Sequence, residues 1–300
     1  EFRSPLRAPW LTSVLGVVLL AALPLVIVTG LLDYLAYGPG QSIPADVGLL
    51  HLPAVDWPTR PSWLFRLTQG LHVGLGLVLV PVVLAKLWSV IPRLFAWPPV
   101  RSPAHALERV TLLMLVGGIL FEIVTGLMNI QYDYAFGFSF YTAHYIGAWV
   151  FLAGFVAHAV LKLPVARRAL RTRSLRAELR VPTNAPEPVD DGLVATNPPP
   201  PTMSRRGALA LVGGGALFVA TITAGQTIGG PLRDLAVLLP RGREDFPVNR
   251  TAAAAAIDAA ATGTAWRLAL GARTLSRDDL QALPQHTARL PIACVEGWST

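Results

Sequence analysis

Apolar residues fall into five long blocks, with charged, polar or proline-rich sequence between them. A helix that crosses a bilayer needs about 20 mostly apolar residues, because each rises roughly 1.5 Å through a hydrocarbon layer near 30 Å thick. The blocks at 10–32, 63–91, 110–130, 141–163 and 208–228 reach that length. The first is not a cleaved signal, since its apolar run is too long and passes into Asp33 and Tyr34 without a small-residue cleavage site. Four helices lie close together in sequence. The fifth is set apart by a connection that begins basic and then carries Pro182, Pro186, Pro188 and the run Pro198 to Pro201, the composition of a stiff spacer. The expected division is a four-helix membrane module over 1–166, a linker over 167–204, a fifth helix over 205–230 and a further segment over 231–300.

Composition agrees with this pattern. Hydrophobic residues make up 53% of the chain and charged residues only 14%, against about 25% charged in soluble domains, which excludes a disordered chain and a freely soluble enzyme. The net charge of +7 invites a nucleic-acid reading until the charges are located. Arg3 and Arg7 precede the first helix; Asp33, Asp46 and Asp56 with only Arg60 follow it; Lys86, Arg93, Arg101 and Arg109 mark the next connection; the region around Gln131 and Asp133 has no basic residue. Lys162, Arg167, Arg168, Arg171, Arg173, Arg176, Arg180, Arg205 and Arg206 then crowd the connection before the fifth helix. That alternation follows the positive-inside rule. It predicts a cytoplasmic N-terminus, an extracytoplasmic C-terminal segment, membrane lipid as a partner and no nucleic acid. The single cysteine excludes an intrachain disulfide framework.

The first and third helices share a phrase, Ile27-Val28-Thr29-Gly30-Leu31-Leu32 and Ile123-Val124-Thr125-Gly126-Leu127-Met128. The second and fourth align around His72 and His144. A repeated two-helix unit puts those two histidines at one depth, in the outer half of the membrane. Histidine within a bilayer is costly and marks a function, and two imidazoles on neighbouring helices at one depth are what a bis-histidine haem requires. His158 follows His144 by fourteen residues, about 40° short of four full turns, so the two share a face roughly 21 Å apart. Under the repeat, the position matching His158 is Lys86, expected to snorkel to the inner interface. His158 is thus a candidate iron ligand for a second haem b, which lacks a visible partner ligand, and it reads equally as a structural or quinone-lining histidine. His51 and His105 read as solvated loop residues. Gly30 and Gly126 suit either the approach of a flat macrocycle or plain helix packing, and Glu122 either proton handling beside a quinone or a structural hydrogen bond.

On these residues the four-helix module resembles the cytochrome b561-type electron carriers, including the cytochrome b subunits of formate dehydrogenases and hydrogenases. The resemblance implies haem b held by His72 and His144, exchange with membrane quinone and a bacterial cell membrane. The family's inner haem takes its other ligand from the first helix, which has no histidine here.

The fifth helix opens with Ser204-Arg205-Arg206 and a glycine-rich apolar span through Gly213-Gly214-Gly215. This reads as a twin-arginine export signal retained within the chain, or simply as positive charge at a cytoplasmic helix end. Beyond it, 251–261 reads as a helix closed by Gly263, 264–270 as a strand, and Ser276 with Asp279 as a capping box for a helix to Leu283. Arg289 to Ile292 then reads as a strand breaking at the only cysteine, Cys294. An unpaired cysteine in an exported domain is prone to oxidation unless a soft metal occupies its sulfur.

Cys294-Val295-Glu296-Gly297-Trp298-Ser299, with the preceding Leu275-Ser276-Arg277-Asp278-Asp279-Leu280, resembles the start of the sulfite-oxidase-type molybdopterin domain. The resemblance implies an exported α+β fold in which Cys294 gives its thiolate to molybdenum, with Asn249 and Arg250 in the entry segment near the cofactor. Family members continue well past this cysteine, whereas the sequence runs six residues further, to Thr300, so a longer protein is expected. The combined expectation is a membrane-bound molybdopterin oxidoreductase acting on a small-molecule substrate outside and exchanging electrons with quinone through haem b. The alternative is a haem b electron-transfer subunit whose exported segment is a non-catalytic docking module.

Overall fold

The structure is a computed structural model. It describes residues 6, 9–36, 47–53, 55–58, 60–95, 97–128, 140–172, 174–178, 180, 203–238, 252, 256–288, 290 and 292. It is mostly helical, with α1 (Pro9–Ala36), α2 (Leu64–Leu94), α3 (Pro103–Met128), α4 (Phe140–Thr172), a single turn α5 (Leu175–Glu178) and α6 (Arg205–Ile228). α1, α2, α3, α4 and α6 are the five helices long and apolar enough to cross a membrane, and they coincide with the five apolar blocks. The chain is a multi-pass helical membrane protein by that measure.

α1 packs chiefly on α2, α3 on α4, and α1 also meets α4, so the bundle is two hairpins joined mainly through α1 and α4. Trp10, Leu11, Leu15 and Leu23 of α1, Leu79 and Val82 of α2 and Phe151 of α4 form the buried core. Lipid offers apolar groups no incentive to leave it, so close packing must come from shape and small residues. The α3–α4 contact shows this. A Cβ added at Gly118 would lie 2.9 Å from the Cα of Phe151, and one at Gly154 would lie 2.6 Å from the amide nitrogen of Leu115.

α6 lies against α2. The α2 residue Gly70 meets Thr227, and Gly215 of α6 meets Pro81. Ser204 caps α6, its hydroxyl accepting from the Gly207 amide at 2.9 Å, and Arg205 and Arg206 occupy the first turn.

Past α6 come a 3₁₀ turn (Gly230–Leu235), α7 (Ala259–Thr262), β1 (Arg267–Leu270), β2 (Arg273–Ser276) and α8 (Arg277–Ala282). The helix expected over 251–261 is confined, among the described residues, to Ala259–Thr262. Its cause is Asp258, whose extended backbone starts the helix and whose Oδ1 accepts from the amides of Ala260 and Ala261 at 2.9 and 3.0 Å. The expected strand shortens to β1 and pairs with an unforeseen β2, Leu270 opposite Arg273, around Gly271 at φ 60°. The capping box at Ser276 and Asp279 is present. Asn249, Arg250, Cys294 and most of the proline-rich linker lie outside the described residues.

Candidate functional site

The repeated Thr-Gly phrase positions the two histidines. Thr29 turns its hydroxyl back onto the Leu25 carbonyl at 2.8 Å, and Thr125 onto that of Phe121 at 2.7 Å. In both hairpins the next residue, Gly30 or Gly126, faces the histidine of the partner helix. A Cβ at Gly30 would lie 2.5 Å from Cε1 of His72, and one at Gly126 would lie 3.4 Å from Cε1 of His144. Each glycine thus leaves room for an imidazole against the backbone, tightly in the first hairpin and with ordinary clearance in the second.

The rings meet. His72 and His144 have centroids 6.0 Å apart and planes at 85°, so the repeat does bring them to one level. His72 Nδ1 lies 2.9 Å from the Val26 carbonyl. A carbonyl can only accept, so Nδ1 carries the proton and Nε2 keeps its lone pair. His144 Nδ1 lies 3.0 Å from Thr125 Oγ1 and 3.1 Å from Glu122 Oε2. The Thr125 hydroxyl is already donated to Phe121, so His144 is the donor here too. Val26 and Glu122 are equivalent positions of the repeat. One hairpin orients its imidazole with a backbone carbonyl, the other with a carboxyl group and a hydroxyl.

This donor set fits an iron held between two imidazoles. A metal about 2 Å from each ring nitrogen places ring centres roughly 6 Å apart, and ligating histidines commonly donate their other N–H to a carbonyl or carboxylate. The His144 side chain retains 29% of its exposure. No cluster of three or more His, Cys, Asp or Glu side chains occurs among the described residues, and a bis-imidazole centre needs none. Glu122, 9% exposed, is the buried carboxyl expected from its place in mid-helix. Its Oε1 packs on Gly147 and has no hydrogen-bond partner among the described residues.

Fourteen residues along α2 and α4, the picture changes. Lys86 takes the place matching His158, and its side chain runs to the first turn of α1. Its ammonium donates to the Thr12 carbonyl at 2.6 Å, over Gly16, where an added Cβ would lie 3.1 Å from Nζ. The missing side chain at Gly16 opens this route. His158 is half-buried and has Lys86, Lys162 and Glu108 within electrostatic reach. Lys162 and Glu108 form an ion pair across α4 and α3.

Three residues stand elsewhere than the sequence pattern places them. His105 lies in the first turn of α3 rather than a loop; its Nδ1 accepts from the Arg101 amide at 3.1 Å. Asp33 closes an apolar block and reads as the start of a connection, yet it belongs to α1 and is 7% exposed. Tyr34 beside it stacks on Tyr145 of α4, centroids 4.3 Å apart, and also meets the exposed ring of His51 edge-on. A run of residues closing an apolar block looks like a boundary in sequence; only the extra turn of α1 shows that they are interior.

Comparison with protein families, with curated proteins and with solved structures finds no match to this chain.

Proposed function

We propose that the chain is a membrane-bound b-type cytochrome in which His72 and His144 hold the iron of haem b, joined to an exported oxidoreductase segment. The observation that carries this reading is the ring pair at 6.0 Å with both Nδ1 atoms committed to acceptors. Bound there, haem b supplies a one-electron carrier. The chain's own part is to fix two neutral imidazoles with their Nε2 lone pairs free, through the Val26 carbonyl on one side and Glu122 with Thr125 on the other. Gly30 and Gly126 keep the space beside the rings clear.

The rest of the reading is built on sequence. The charge alternation argues for this level in the outer half of the membrane, N-terminus inside, the resemblance implies a bacterial cell membrane, and the Ser-Arg-Arg start of α6 suits twin-arginine export of the segment beyond that helix. Cys294 would bind molybdenum of a molybdopterin cofactor, with Asn249 and Arg250 near it, and electrons would pass between that site and quinone. Oxidation of a sulfite-like substrate and reduction of a sulfoxide use the same route in opposite directions. A second reading, a cytochrome whose exported segment only docks a partner, draws on the exposure of that segment: Leu270 and Leu283 are 57% and 52% exposed, apolar surface that calls for a cover.

The test is haem per chain on the detergent-purified protein, by pyridine haemochrome with a reduced-minus-oxidised spectrum. One haem b per chain is expected. None, in a folded protein, ends the cytochrome reading; two would give His158 a haem of its own.

A further inference from the structure

Asp33 is the buried acid that the haem site does not use. It stands on α1 three residues past Gly30, the residue against the His72 ring, and so about 4.5 Å further along the helix. Both carboxyl oxygens are buried and neither has a hydrogen-bond partner among the described residues. Its polar neighbour Thr68, one turn before His72 on α2, gives its own hydroxyl proton to the Phe65 carbonyl at 3.0 Å. Thr68 and the adjoining Gln69 are themselves 6% and 4% exposed. An unsatisfied carboxyl inside a membrane helix is costly to keep, and such groups mark proton relays.

We propose that Asp33 exchanges protons with a hydroquinone or quinone that reacts beside the His72–His144 pair, on the outer side of the membrane. The proposal rests on the cytochrome reading above. Oxidation of a hydroquinone breaks two O–H bonds. Its two electrons would leave one at a time; haem b, held by His72 and His144, would supply the one-electron acceptor, and the exported site would be the oxidant beyond it. The two protons go in turn to a carboxylate oxygen of Asp33 and then to the outer water. Quinone reduction is the reverse, with the same atoms. Electrons and protons stay on one side, so turnover moves no net charge across the membrane.

The test mixes the full chain, purified with its haem, with duroquinol or menadiol and follows haem reduction by stopped flow. Wild type is expected to be reduced by at least one of them. Asp33→Asn, nearly isosteric, is expected to be slower by about 10²-fold, within the range of general acid–base contributions. Its dithionite-reduced spectrum should be unchanged, and Asp33→Glu should recover most of the rate. Wild-type rates in Asp33→Asn, loss of its haem, or a wild-type haem that neither hydroquinone reduces would each overturn the proposal. Absence of haem from the wild type is seen before any hydroquinone is added; it is the failure of the cytochrome reading and removes this proposal with it.

Discussion

At one end of the four-helix bundle two imidazoles face each other, each seated on a glycine of the neighbouring helix. Fourteen residues along both α2 and α4, an ammonium and a half-buried imidazole stand in their places. The α1–α2 spacing is kept, since Gly16 faces Lys86 as Gly30 faces His72. What differs is the donor and where it is spent. His72 turns one nitrogen to a carbonyl and keeps a lone pair; Lys86 has no lone pair while it is an ammonium, and donates to the Thr12 carbonyl. A shared scaffold is therefore no guarantee of a shared site. In the proposed reading one level carries the electron and the other holds the hairpin together.

The sharpest way to break this comparison is to remove the imidazoles one at a time. His72→Ala or His144→Ala should abolish the haem spectrum, while His158→Ala should leave it intact. A spectrum that survives the first two, or disappears with the third, would reverse the roles of the levels. A finer contrast lies between the hairpins. Gly30→Ala forces a methyl against the His72 ring at 2.5 Å, whereas Gly126→Ala meets His144 at 3.4 Å. The first should cost about 1–3 kcal/mol, as overpacking does, and shift or bleach the haem bands; the second should leave them nearly unchanged. Thermal melts and spectra of the two variants side by side decide it, and equal effects would mean that the glycines do not set the rings.

Lys86→Met tests the other level. It removes the ammonium's bond to the Thr12 carbonyl, which keeps its place in the α1 ladder, and should lower stability by about 1–3 kcal/mol with haem per chain unchanged; a fall in haem content would instead make that level a cofactor site. The smallest effect is expected far from both. Asp279 Oδ2 accepts from the Ser276 hydroxyl at 2.6 Å and the Ser276 amide at 2.8 Å, and these bonds hold its carboxyl below the usual aspartate range. A carboxyl lowered on folding stabilises above its unfolded pKa of about 3.9 and loses that contribution as pH falls through the lower folded value. Hydrogen exchange at Asp279, corrected for the intrinsic rate, should therefore lose protection only below about pH 4, while the bundle remains protected.

The five helices were legible because membrane burial demands length and apolarity, and nothing else in the chain imitates that. The His72–His144 pairing was legible through the repeat, since equal phrases in equal order imply equal depth. The partner of Lys86 was not, because it is a backbone carbonyl reached over the missing side chain at Gly16, one helix away. Asp33 was misplaced for a related reason. A charge at the end of an apolar run reads as an exit from the membrane, whereas α1 continues to Ala36 and carries the acid inward. β2 escaped notice because Arg273 to Ser276 has little alternation of its own and is a strand only by pairing with β1. Val26 could not have been singled out as a partner of His72, because it acts through a backbone carbonyl that every residue has.

The anchoring of the rings has a mechanical side. His72 is tied to α1 within its own hairpin and His144 to α3 within the other, so neither imidazole is fastened across the gap by these bonds. A group gripped by both Nε2 atoms would act as a rivet added to the α1–α4 seam that already joins the two hairpins. Its loss would loosen the seam before it melted either hairpin, and assembly of the chain in the bilayer would be complete only when that rivet is in.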